Sequence, residues 1–247
     1  MQEYITLSYF VSFACYGLGL IATFLKQMRA ATSLTLIGLA VNGVALVLLW
    51  VAGGQFPVFH LFESFLLCTF ILALLHFFAG DKAGDHNIAK WVLVEILILF
   101  AVLLFYPKSP APHRYHHDAL FVFFFHAFRA GALGLMLFSS AHYIQFLIDG
   151  KGLRLGHELF RKGRDFLLLG AIFFLASEYS GIIWCLNGWG DFWRWNYGFL
   201  SSAFIMLYLM LVFHIPGKHL SAERFTSLTG ALGSLVMIGI AISRSAA

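Results

Sequence analysis

Histidines, arginines and glutamates stand at helical spacings inside otherwise apolar runs of this chain, where such groups are costly and functional by default. His126 and Arg129 are i,i+3 in L-F-V-F-F-F-H-A-F-R, which puts both on one helix face. His60 and Glu63 repeat that spacing in H-L-F-E. A second layer, His76, His142 and His214, falls near the opposite ends of its runs, and Glu95 and Glu178 lie within two others. Neutral imidazole is a strong ligand for haem iron, and an arginine beside it neutralises propionates. The alternative for each histidine is a hydrogen bond to a neighbouring helix. Arg129 calls for a buried anion, and its own run offers none nearby. His126 and His142 are 16 residues apart, about 24 Å along a helix, and so mark two depths. No acid–base catalytic residue is assigned; Glu63 is expected to pair with Arg129 or to orient His60.

A second constellation is aromatic. Trp189 to Asn196 reads W-G-D-F-W-R-W-N, three tryptophans and a phenylalanine between two apolar runs. Gathered in one connection, these rings make a flat, π-rich platform for a large planar ligand at a membrane surface. The alternative is a plain interfacial aromatic belt. His113, His116 and His117 form either a metal-binding or a solvated loop. Cys15, Cys68 and Cys185 are isolated and no C-x-x-C occurs. That removes a thiol-based zinc site, a redox pair and covalent haem attachment to this chain.

The elements that must carry these residues are membrane helices. Of 247 residues, 60% are hydrophobic and only 11% charged, against about 45–50% and about 25% in soluble domains. Eight apolar runs have the length of a span, roughly 20 residues: 5–25, 34–53, 58–79, 88–106, 119–147, 166–186, 197–215 and 225–243. The predicted fold is all-α, a polytopic membrane helix bundle of about eight transmembrane helices in a single domain, 1–247. No cleavage site follows the first run, so that segment is expected to be retained. Lys26, Arg29, Lys82, Lys90, Lys151, Arg154, Arg161, Lys162, Arg164, Lys218 and Arg224 fall in one set of connections; Lys108, Arg114, Arg194 and Arg244 fall in the other. Eleven against four places the first set in the cytoplasm of a bacterial inner membrane, with both termini and the Trp-rich loop periplasmic. The basic stretch 149–165 is expected to be a loop resting on the anionic inner surface. The net charge of +4 follows this membrane logic and gives no sign of a nucleic-acid partner. No repeat argues for a transporter.

Read in order, these residues resemble the CcsA/ResC-type cytochrome c assembly family of haem-handling membrane proteins with a tryptophan-rich segment. Gly181 to His214 matches without a gap: Gly181-x-x-Trp184 leads in, and W-G-D-F-W-R-W-N stands where the family has W-G-x-Y/F-W-x-W-D. Ser202 and His214 fall at family positions. Upstream, P-V-F-H-L-F-E-S (Pro57–Ser64) resembles P-V-T-N-L-Y-E-S. The resemblance implies a protein that receives haem b in the membrane and holds it non-covalently on the outer surface for attachment to apocytochrome c. It implies Trp189, Trp193 and Trp195 as the haem platform, His126 as outer axial ligand and His214 on the inner route of haem. It also implies a partner membrane subunit with an external domain, and at most a component role in a haem lyase or synthase. Asn196 departs from the motif's aspartate, and the Pro-Lys-Glu after it becomes Tyr197-Gly198-Phe199. The family's second external histidine has no counterpart in the closing I-S-R-S-A-A, and His60 is expected to substitute. These departures leave a second reading open: a b-type haem subunit passing electrons from quinone to a periplasmic cytochrome.

Overall fold

The structure is a computed structural model and describes residues 1–79, 86–113, 119–149, 153–190, 197–215 and 220–246. All regular structure among them is helical. The eight helices are α1 Gln2–Phe24, α2 Met28–Gly53, α3 Leu61–Ala79, α4 His86–Leu103, α5 Leu120–Asp149, α6 Leu153–Trp189, α7 Tyr197–His214 and α8 Leu220–Ala246. The all-α expectation and the helix number hold. Among the described residues, five helices are long and apolar enough to cross a membrane, in α1, α2, α3, α5 and α6, fewer than the eight expected. α4 and α7, at 18 residues each, reach only about 27 Å, just under a hydrocarbon core of about 30 Å.

The helices group into two compact units, residues 1–118 and 119–247. In the first, α1 packs on α2 and α4, and α3 on α2 and α4. Tyr9 sits at its centre, wholly buried against Phe62 and Phe100, and its hydroxyl donates to the Phe100 carbonyl at 2.5 Å. Asn42 of α2 donates to the Thr69 hydroxyl of α3 at 2.9 Å. A hydrogen bond between spanning helices keeps a buried polar side chain satisfied where water cannot.

The second unit is built on the antiparallel pair α5–α6, with α8 against α5 and α7 against α8. Ser177 of α6 donates to the Phe125 carbonyl at 2.8 Å near one end. Ser139 of α5 donates to the Gly163 carbonyl at 2.6 Å near the other. Hydroxyls and small residues let two backbones approach closely, as membrane helices require when lipid tails are as apolar as their side chains.

Outward faces in both units are apolar. Leu18, Ile21, Val47, Leu168, Ile172, Leu207 and Leu211 are all exposed. Helices apolar all round belong in a bilayer, not in water. The basic stretch expected as a loop is different: from Leu153 onward it is the first turns of α6, which runs unbroken for 37 residues. Leu159 and Phe160 are buried there while Arg161 and Arg164 are exposed. Phe160 docks the segment on α5, against Tyr143 and Phe146, and so it continues the helix.

Candidate functional site

The ionisable residues of the second unit gather around Arg129. Its guanidinium pairs with Glu178 of α6 and donates to the Ser202 hydroxyl of α7, and Ser202 in turn donates to Glu178 at 3.0 Å. The anion that Arg129 requires is therefore supplied by α6. Three helices meet on one charge-assisted network, stronger than neutral hydrogen bonds in a low dielectric. The guanidinium also lies 4.7 Å from the Phe125 ring centroid and 5.7 Å from that of Phe174, a cation–π cradle. Its Nε is buried with no hydrogen-bond partner among the described residues.

An aromatic run leads away from this network. The half-buried His126 meets Phe125 edge-on at 5.1 Å, Phe125 meets Trp184 at 5.9 Å, and Trp184 meets Trp189 at 5.5 Å. Gly181 makes the crossing possible: a Cβ there would stand 2.9 Å from the Phe125 ring. Trp189 is the last residue of α6 and not a loop residue. Gly190 caps that helix at φ +71, in the left-handed region that glycine enters freely, and its N–H bonds the Leu186 carbonyl at 2.9 Å. Trp189 is 46% exposed, an indole face turned outward. Trp193 and Trp195, like His116 and His117, lie outside the described residues.

Elsewhere the expected residues are placed differently. α3 begins at Leu61, so His60 precedes the span and is exposed. Glu63 is 1% exposed and takes backbone N–H groups: Phe59 at 2.9 Å, His60 at 3.3 Å and Ala111 at 2.7 Å. It caps α3 and ties the segment after α4 to it, and Arg129 pairs with Glu178 instead. The sequence could not distinguish a capping carboxylate from an ion-pairing one, because a glutamate beside an apolar run serves either role and only its packed neighbours decide which. His142 is buried in the core, its Nδ1–H donating to the Phe138 carbonyl at 2.8 Å and its ring packed by Phe138 and Phe166. His214, exposed at the end of α7, donates Nδ1–H to the Met210 carbonyl at 2.7 Å. That bond fixes Nδ1 as the donor and leaves Nε2 as the other ring nitrogen. His76 is half-buried on α3 and Glu95 buried on α4, both in the first unit.

Trp184, Phe125 and Ser202 complete the network, yet only their place in the resemblance or in an aromatic run marked them beforehand. The chain matches no family model, and no curated protein or solved structure is significantly similar to it.

Proposed function

We propose that this protein is a haem-binding membrane protein of c-type cytochrome biogenesis. It holds haem b non-covalently at the outer face of a bacterial inner membrane for delivery to apocytochrome c. The observation that carries the reading is the aromatic run from His126 through Phe125 and Trp184 to the exposed Trp189, bordered by the Arg129 guanidinium. An axial imidazole, indole faces for a macrocycle and a cation for propionates are the parts a haem surface needs. The unsatisfied Nε of Arg129 fits that group, since it is a buried donor without an acceptor.

His126 would be the outer ligand, with Trp189, Trp193 and Trp195 lining the platform. His214, with Nε2 left open, would stand on the inner route, and His60 is proposed as a second outer ligand. When bound, haem would supply an iron whose axial positions these imidazoles fill. The chain's own residues orient the macrocycle and hold its carboxylates. Attachment to apocytochrome c then falls to a partner membrane subunit with an external domain, making this chain at most one component of a haem lyase.

The electron-transfer alternative asks for a second haem layer at His142. Its ring is 1% exposed and already packed against two phenyl rings, which favours the assembly reading. The test is an absorption spectrum of the detergent-purified chain with pyridine-haemochrome quantitation. A Soret band is expected, abolished or shifted in His126→Ala. An unchanged spectrum in that variant removes His126 as ligand, and a haem-free chain whose deletion spares c-type cytochromes removes the whole reading.

A further inference from the structure

A guanidinium offers its N–H groups in a planar fork, and a carboxylate paired with it commonly takes two of them in parallel. At Arg129 the pairing is thinner. Nη2 donates both to Glu178 Oε1 and to the Ser202 hydroxyl, and Ser202 donates to the same Oε1 at 3.0 Å. Two donors thus converge on one oxygen of Glu178, while Oε2 takes no hydrogen bond among the described residues. Nη1 of Arg129 likewise makes none among them. The ion pair is single-pronged and uses half of each partner.

The packing around it holds that arrangement. Phe125 and Phe174 take the guanidinium between their rings, with centroids 4.7 and 5.7 Å from its carbon. Ser177, beside Glu178, donates to the Phe125 carbonyl at 2.8 Å, and Gly181, one turn on, admits the Phe125 ring against α6. α6 is therefore fixed to α5 on either side of Glu178. Neither charge is sealed off, since Arg129 is 17% exposed and Glu178 29%. A carboxylate arriving from outside meets a guanidinium with Nη1 unspent and a second carboxylate already beside it.

Two carboxylates on one guanidinium each attract the cation and repel one another. Like charges that close disfavour the ionised pair, and partial burial keeps water from screening the repulsion fully. The standing charge of Glu178 thus weakens any anion that joins it at Arg129. A protein that must hold a dicarboxylate such as haem and then give it up needs such a counterweight, because a lone buried guanidinium grips a carboxylate strongly.

We propose that Glu178 sets how readily this site releases haem: a propionate accepts from Nη1 of Arg129 while Glu178 keeps Nη2, and the neighbouring negative charge loosens the hold. The proposal rests on the haem-binding reading above and adds a role that reading leaves open. Glu178 acts through Arg129 and is a positioning residue. A purely structural role predicts that loss of its charge weakens the fold and haem retention together. The role proposed here predicts that the two move in opposite directions.

The test is the rate at which the detergent-purified full chain, loaded with haem or with haem dimethyl ester, loses it to excess apomyoglobin. Glu178→Gln should lose haem about fivefold more slowly than the parent, and should lose the ester, which carries no carboxylate, at the parent's rate. Ser202→Asp adds a negative charge at the same Nη2 and should quicken haem loss by a similar factor without touching the ester; this keeps the test readable where Glu178→Gln fails to fold. Unchanged or faster haem loss in Glu178→Gln, or equal slowing for haem and ester, would overturn the proposal and leave the haem-binding reading standing. A parent chain that takes up neither ligand overturns both.

Discussion

Arg129 is the residue on which the second unit's chemistry turns, because a guanidinium in a span needs an acceptor and here it takes two. Glu178 and Ser202 come from different helices, so one ion pair and its hydrogen bonds to Ser202 tie three helices together. Breaking such a pair leaves a charge in a poor solvent, which costs more than the pair contributed. Glu178→Gln keeps an oxygen for Arg129 but removes the negative charge. We expect it to lower stability by about 1–3 kcal/mol, since Arg129 is 17% exposed and Glu178 29% and solvent screens part of the loss. Thermal unfolding in detergent reads this directly; a midpoint equal to the parent's would show that the pair is dispensable.

Among the elements, α6 does the most positioning. Its 37 residues span about 55 Å, so one rigid rod carries the basic segment, Glu178 and the Trp184–Trp189 contact. The rod stays close to α5 where small residues meet large ones, and Gly181 against Phe125 is the crossing nearest the candidate site. Gly181→Val would drive a branched side chain into that ring. Overpacking of this kind costs about 1–3 kcal/mol, and here it would also displace Phe125 from Trp184 and His126. The expected result is a lower melting temperature and, on the proposed haem-binding reading, weaker haem retention in a dilution assay. A fall in stability with unchanged retention would separate the packing from the site.

For the whole molecule, the question is which face meets which solvent. Lys162 and Asn187 stand 25 residues apart on α6, about 37 Å, farther than the hydrocarbon is thick, so they lie on opposite sides of a spanning α6. On the proposed orientation, which follows the lysine and arginine bias, Lys162 lies inside. In a cysteine-free background, a membrane-impermeant thiol reagent added to intact cells should label Asn187→Cys and spare Lys162→Cys. The reverse pattern would invert the topology and move the exposed tryptophan to the cytoplasm.

Membrane character and the eight helices were legible in the sequence because both follow from local composition: a run of roughly 20 apolar residues has few other places to go. The need of Arg129 for an anion was legible too, since it is a property of the residue. Which acid answers it was not. Glu63, Glu95 and Glu178 are equivalent as letters, and only the packing of α6 on α5 sends Glu178 to Arg129 while the α2–α3 turn commits Glu63 to backbone N–H groups. The boundary between loop and helix at residues 153–165 was likewise decided by contact, through Phe160 on Tyr143 and Phe146. Burial preference is written along a chain residue by residue, whereas partnership between side chains 49 positions apart exists only once the helices have met.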